Sequence, residues 1–285
     1  MATTQHQLEV RQLILIVHST KDIAGVNIAT SIHRKLHFVE TGKTYQENPV
    51  YKAEISGKQI IHVTLKEEAV AAQNLSGAFP DSQLIVFISR HSSQSGKPTL
   101  SVHAPGNLGT AELGGLPRQV SKASACSMQI ALKSLSRQKT ERNLNYEVSY
   151  ECTHHGPSLS IPTMFVELGS SEEQWKDEVA SEVVGNAALE AISRFDKSGE
   201  AVLGIGGTHY NQKFTQMALT DKTAFGHMIP KHALPTVDQK IIQHCIERTQ
   251  EKVVTAILDW KGIKSEDKHK LLVLLQNIGL KIKKV

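Results

Sequence analysis

The sequence has few of the features that mark several large protein classes. Its three cysteines, Cys126, Cys152 and Cys245, are far apart and form no Cys-x-x-Cys pair. This excludes a disulfide framework and a thiolate zinc knuckle, and it indicates a reducing compartment. No run approaches the length of about 18 uncharged apolar residues that a membrane span needs, and residues 1–7 lack the basic and apolar regions of a signal peptide. We therefore expect a cytoplasmic protein without a membrane partner.

The sequence also lacks the common motifs of nucleotide binding and nucleophilic catalysis. Neither Gly-x-x-x-x-Gly-Lys-Ser/Thr nor a complete dinucleotide-binding pattern is present, so we exclude a nucleotide cofactor. There is no Gly-x-Ser-x-Gly elbow and no His-Glu-x-x-His helix. Cys152 near His154 leaves a thiol mechanism open, although the many histidines suit a water nucleophile better.

An excess of charge of one sign is missing from the chain as a whole but present locally. The net charge is only +4, yet the segment from Arg118 to Arg142 contains six basic side chains and a single acidic one, Glu141. Such a segment either binds a nucleic-acid backbone or forms a solvated helix face, and charge alone favours neither interpretation. If RNA binds there, we expect contacts from Arg118, Lys122, Lys133, Arg137 and Lys139.

Short apolar runs alternate with segments of helical periodicity. The runs predict strands at 12–17, 59–65, 84–89, 99–103, 145–151, 163–168, 201–205 and 253–258. Helices are predicted at 22–37, 125–135, 180–195 (opened by Ser170-x-x-Glu173), after Thr236-x-x-Gln239, and around 271–275 with an end near Gly279. This alternation predicts an α/β fold of three α/β/α layers with a mixed sheet, in a single domain spanning residues 1–285.

Histidine-bearing clusters follow the predicted strands. They read Ser89-Arg90-His91, His103-Ala-Pro-Gly106-Asn107, His154-His155-Gly156-Pro157 and Gly204-Ile-Gly206-Gly207-Thr208-His209-Tyr210. Ligands of open α/β sheets bind beyond the carboxyl ends of strands, so these clusters are candidates for one shared site. A single histidine after a strand is more often structural, but the recurrence favours a functional site.

The clusters suggest individual roles. Glu167, at the end of an apolar run, is a metal ligand, a general base or an orienting carboxylate, unless it only places charge before a helix. His91 and His103 would meet as a metal pair if the chain between them is a hairpin. His154 and His155 would point to opposite faces if they continue a strand, so that one serves the site and the other supports it.

Together, and in this order, the clusters closely resemble the D-aminoacyl-tRNA deacylase family of the archaeal and plant type. The resemblance also covers Asp22-Ile-Ala-Gly25-Val-Asn27 and Phe165-Val-Glu167-Leu-Gly169-Ser170-Ser171, and thus most of the chain. It implies a fold like that of phosphorylases and peptidyl-tRNA hydrolases, an esterase that removes D-amino acids from tRNA in chiral proofreading, and association with zinc. A tRNA carrying a D-amino acid would be the partner of a monomeric hydrolase.

Residues and resemblance lead to one set of expected site residues. We expect His154, His155, Glu167 and His209 to be catalytic, and His91 and His103 to be metal ligands. We expect the substrate to be bound by Ser89, Arg90, Gly106, Asn107, Gly156, Gly206, Gly207 and Thr208, with backbone N–H groups of Gly206 and Gly207 as oxyanion donors. The alternatives are a zinc-dependent peptidase or a nucleoside phosphorylase on the same fold, or a protein that binds tRNA without turning it over.

Overall fold

Eight strands form the larger of two sheets in the computed structural model, which describes residues 12–221 and 223–285. Residues 1–7, where we recognise no signal peptide, lie outside the described residues. The strands are β1 (Leu13–Ser19), β2 (Val39–Tyr45), β3 (Asn48–Ile55), β4 (Lys58–Leu65), β5 (Leu84–Ser92), β6 (Thr99–His103), β7 (Glu147–Tyr150) and β8 (Thr163–Ser170). Their order across the sheet is β2-β3-β4-β1-β5-β8-β6-β7.

Strand β8 lies between β5 and β6. It runs parallel to β5, with Ser89 opposite Glu167, and antiparallel to β6, with Ser101 opposite the same Glu167. The expected hairpin between His91 and His103 is therefore wrong, because a strand made some 60 residues later separates the two. Glu167 consequently lies between the strands that carry these histidines.

Three long helices cover one face of this sheet. They are α1 (Ile23–Lys35), α3 (Ala125–Glu141) and α5 (Glu178–Ser193), and their apolar residues pack with Ile14, Val86 and Val166 in one core. The opposite face is covered by a 3-10 turn at 69–71, the short helix α2 (Leu75–Ala78) and the chain before β8. The predicted α/β fold with a mixed sheet is confirmed.

A second, smaller sheet was not predicted as a separate unit. It contains β9 (Glu200–Ile205), β10 (Phe225–Ile229), β11 (Lys252–Leu258) and β12 (Lys281–Lys284), in the order β10-β9-β11-β12 and all parallel. Helix α6 (Gln212–Thr220) packs on one face, and α7 (Gln239–Glu247) and α8 (Ser265–Ile278) pack on the other. In the described part of the chain no helix is long and apolar enough to cross a membrane.

Two helix starts differ from the predicted ones. The capping box is formed by Ser171 and Gln174, and it opens only the single turn α4 (Glu172–Trp175). Helix α5 begins instead at Asp177, whose carboxylate accepts from the Ala180 amide at 2.9 Å. Asp238 takes the same role for α7, and Gly279 ends α8 at φ 81°, as expected for a left-handed cap.

Candidate active site

Glu167 is a buried carboxylate in the middle of β8. Its Oε1 accepts from the hydroxyl of Ser89 at 2.8 Å, and its Oε2 lies 3.6 Å from both His91 Nδ1 and His103 Nε2. Burial opposes ionisation of this carboxyl, but the two imidazoles outweigh burial and hold its pKa below the usual range. Glu167 is therefore an ionised carboxylate between two histidines and not a solvated charge before a helix.

Glu151 is a second buried carboxylate, and it was not among the expected site residues. It directly follows β7 and is fully buried. Its Oε2 lies 2.9 Å from His209 Nε2 and 3.6 Å from His154 Nε2, while Oε1 lies 3.2 Å from His91 Nδ1. Although burial raises its pKa, His209 and His91 lower it more, and the net pKa is well below the usual range.

His91 connects the two carboxylates. Burial alone would lower its pKa, but Glu151 and Glu167 raise it to about 11, so the ring is an imidazolium at neutral pH. Its Nε2 lies 2.8 Å from the hydroxyl of Tyr210, another residue that was not expected at the site. Because the protonated ring donates, the Tyr210 O–H is left free to donate to a ligand.

His154 and His155 share a different orientation. The Nδ1 of His154 donates to the carbonyl of Cys152 at 2.8 Å, and the Nδ1 of His155 donates to that of Gly156 at 2.6 Å. Carbonyl oxygens only accept, so both rings have their lone pair on Nε2. His155 has φ +41°, in the left-handed region, so the two rings do not alternate as they would in a strand. The expectation that only one of them faces the site is wrong.

His103 completes a cluster of three imidazoles. Its ring is fully buried and lies 4.3 Å from His154 and 4.9 Å from His155 between centroids. Neither of its nitrogens has a hydrogen-bond partner among the described residues. One nitrogen from each of these three rings lies within 4.8 Å of the others, whereas no such group among the described residues contains both His91 and His103. The expected metal pair is thus not brought together as a pair of ligands.

Two cavities meet at His154 and His155, which line both. The first, the acyl cavity, has a volume of about 530 Å³ and reaches the carboxylate cluster. The residues that line it include Asp22, Glu68, Ser89, Arg90, His91, Glu151, Phe165, Glu167, His209 and Tyr210. The second, the adjacent cavity, measures about 450 Å³ and is lined by the loop at 106–113 and by residues 230–236. Leu113 is the third residue that contributes to both.

The expected substrate-binding residues fall into two groups. Ser89 and Arg90 line the acyl cavity, and Gly106 and Asn107 line the adjacent cavity. Arg90 forms an ion pair with Glu68 at 3.0 Å, and its amide donates to Asp22 at 2.7 Å.

The remaining glycines have structural roles. A Cβ on Gly156 would lie 2.2 Å from the amide of Gly115, so this glycine permits close backbone packing. The amide of Gly206 already donates to the carbonyl of Ile229 at 2.8 Å. Neither Gly207 nor Thr208 lines a cavity that includes the histidines. The geometry thus offers the Tyr210 hydroxyl, rather than the Gly206 amide, as an oxyanion donor.

The basic segment is largely neutralised in the fold. Arg137 pairs with Glu190 at 2.7 Å and with Glu141, and Arg118 pairs with Asp238 at 2.7 Å. Lys133 donates to the carbonyl of Asp221, at the end of α6 remote from Tyr210. Lys122 and Lys139 are partly buried.

Cys152 is buried, and its thiol lies 3.5 Å from the carbonyl of Thr208. Burial raises the pKa of this thiol. It does not line either cavity, so the geometry does not favour it as a nucleophile.

Comparison with known proteins agrees with this site. The family model described as D-aminoacyl-tRNA deacylase matches residues 78–283. Proteins named D-aminoacyl-tRNA deacylase from Thermococcus onnurineus and Pyrococcus abyssi are each 35% identical over 273 residues, which is 93% of this chain and 97% of each relative. A crystal structure of a conserved protein of unknown function superposes with a TM-score of 0.85 at 33% identity, covering 96% of this chain and 95% of that one. The chain therefore belongs to the D-aminoacyl-tRNA deacylase family.

Proposed function

We propose that this protein hydrolyses the ester of D-aminoacyl-tRNA to free D-amino acid and tRNA. Family membership supports the substrate, and one observation supports the chemistry. This observation is the pair Glu151–His209 at 2.9 Å on the wall of the acyl cavity. No serine or cysteine elbow competes with a water nucleophile in the sequence.

His209 is the proposed general base. Its Nε2–H donates to Glu151, so Nδ1 carries the lone pair and can take a proton from water. The carboxylate fixes the tautomer of the ring and stabilises the imidazolium that forms. His209 is partly exposed, whereas Glu151 is fully buried, so the ring and not the carboxylate is accessible to water.

His91 and Tyr210 are proposed to stabilise the negative charge that develops on the ester oxygen. The Tyr210 hydroxyl accepts from the imidazolium of His91 and has its own proton available to a ligand in the acyl cavity. A hydroxyl polarised in this way is a stronger donor than an isolated one.

Zinc is proposed as the metal of this site, and the donor set fits it. Three neutral imidazoles, His103, His154 and His155, offer one nitrogen each, and His103 is a buried ring without another partner among the described residues. Such a set leaves a fourth position open, as catalytic zinc sites do. Zinc bound by these rings would polarise the ester carbonyl or lower the pKa of a bound water.

A monomer in the cytoplasm is proposed as the active form. All the residues invoked above come from a single chain, so the site needs no second subunit. A substrate used in translation supports the cytoplasmic location.

The test is release of amino acid from matched D- and L-aminoacyl-tRNA by the purified protein. We expect hydrolysis of the D-form at least about tenfold faster than of the L-form, a difference of about 1.4 kcal/mol in activation free energy. Equal rates on both enantiomers contradict the proposal. Cleavage of peptides with the ester left intact indicates a peptidase, and tRNA binding without release indicates a binding protein.

A further inference from the structure

The carboxyl ends of all four strands of the smaller sheet lie at one edge. Ile205 of β9 is in register with Leu258 of β11 and Ile229 of β10, and Leu258 is in register with Lys284 of β12. The chain after β9 runs through Gly206 and Gly207 to His209. This edge is therefore next to the proposed active site.

Lysines collect at this edge. Lys231 follows β10, and its amide donates to the carbonyl of Gly207 at 3.0 Å. Lys261 follows β11, and Lys284 ends β12. Lys268, in the first turns of α8, lies with Lys284 around Trp260, their ammonium nitrogens 4.7 Å and 3.9 Å from the ring centroid. We call Lys231, Lys261, Lys268, Lys284 and Trp260 the lysine surface.

The charges of the lysine surface are not neutralised by the protein. Among residues 12–221 and 223–285, none of its four lysines is in an ion pair with a carboxylate. Lys213 nearby is different, because it pairs with Asp259. The arginines of α3 are also different, since Arg137 and Arg142 both pair with glutamates. Unpaired cations on a partly apolar ring are the groups that bind phosphate and sugar.

The lysine surface continues into the adjacent cavity. Pro230 and His232 line that cavity, and Lys231 lies between them in the chain. Lys281 and Lys283 are left out, because lysines on an edge strand are already explained as protection against strand pairing.

We infer that the lysine surface receives the acceptor arm of the tRNA, with the 3′ end passing by Lys231 into the adjacent cavity. This inference rests on the proposed function, and it moves the RNA contact away from helix α3. Lys133 of α3 lies at the far end of α6, a helix of nine residues and about 13 Å, from Tyr210. A stem whose end reaches the histidines passes the lysine surface first.

The experiment measures binding of uncharged tRNA as a function of salt. In one variant Lys231, Lys261, Lys268 and Lys284 are changed to Gln, and in a control of equal charge Lys133, Arg137, Lys139 and Arg142 are changed to Gln. We expect the first variant to bind at least about tenfold more weakly and to lose about three units of salt slope, because each phosphate contact accounts for about 0.9 unit. The control should lose less than about one unit.

Further arms separate this inference from other outcomes. Lys→Arg at the same four positions should restore the wild-type slope, since charge is kept, and an unchanged melting temperature shows that the Gln variant is folded. A wild-type slope in the Gln variant, or an equal loss in the α3 control, overturns the inference, as does a wild-type protein that binds no tRNA. A wild-type protein that binds tRNA through the lysine surface but releases no D-amino acid overturns the proposed function alone.

Discussion

Glu151 contacts more of the site histidines than any expected residue does. His91, His154 and His209 all lie within 3.6 Å of its two oxygens. In the sequence it is a single acidic residue between a short strand and the His154-His155 pair. Its position directly before that pair was the available signal. Nothing local shows that His209 returns to it from another sheet, because only the isolated bridge between Glu151 and Tyr210 brings the two segments together.

Replacing Glu151 tests its proposed role. Glu151→Gln keeps the shape but removes the charge that orients His209, so we expect kcat to fall at least about a hundredfold, as for the loss of a general base. The matched control is Glu251→Gln, another buried carboxylate, which accepts from the amides of Ala125 and Cys126. That change should lower stability and leave kcat near the wild-type value. Similar kcat values in the two variants would sink the assignment.

The glycines of the site show how far local sequence reasoning reaches. Gly106 and Gly206 were correctly expected at turns beyond strands, since both have φ values that favour glycine. Their amides, however, are already used by carbonyls of His155 and Ile229. Whether a glycine amide is free depends on the segment that packs against it, and that segment is remote in sequence.

At the scale of elements, the apolar strands were predicted and the polar ones were not. The strand at 99–103 has the predicted bounds, and β4, β5, β8, β9 and β11 differ by a few residues at their ends. Strand β2 is almost entirely exposed and β12 reads Lys-Ile-Lys-Lys, so neither has a buried face to produce an apolar pattern. Such strands form because a neighbour offers hydrogen bonds, which a local pattern cannot reveal.

The start of α5 provides a test at this scale. Asp177 accepts from the Ala180 amide at 2.9 Å and from the Tyr146 hydroxyl at 2.8 Å. We expect Asp177→Ala to lower the free energy of unfolding by about 1–2 kcal/mol, the usual effect of losing an N-cap, with kcat unchanged. Asp196→Ala, at an exposed turn after the same helix, should change stability by less than about 0.5 kcal/mol. Urea unfolding of both variants measures the difference, and equal losses would contradict the capping role.

At the scale of the whole molecule, several histidines are buried as neutral rings. Burial lowers the pKa of His18 and of His227 to about 4. The His227 ring is held by the Thr153 hydroxyl at 3.0 Å and the Ser121 carbonyl at 3.0 Å. His91 behaves oppositely, since its pKa is raised, and its contribution to stability is lost only at high pH.

This burial predicts acid sensitivity. The unfolded chain takes up a proton at each of these histidines near pH 6.5, whereas the folded chain resists until about pH 4, so stability falls as pH is lowered between these values. Each such ring contributes about 3 kcal/mol over the window, at about 1.4 kcal/mol per pH unit. His227→Asn should reduce the pH slope of the free energy of unfolding by about one proton. An unchanged slope would show that His227 does not titrate in this window.

The order of strands across the larger sheet was beyond sequence reasoning. The alternation of elements predicts layers, but the insertion of β8 between β5 and β6 and the separation of a second sheet depend on long-range pairing. The histidine clusters were still expected to converge, because the ends of parallel strands meet at one edge whichever strands are neighbours.

The position of β8 also sets an order for synthesis. One edge of β5 stays without its partner while the ribosome makes the residues up to Thr163, which takes several seconds at roughly 5–20 residues per second. Glu167 then arrives between His91 and His103, and His209 is added some 40 residues later still. An unfinished chain therefore has no assembled centre, and it cannot act on the charged tRNAs that are delivering its own remaining residues.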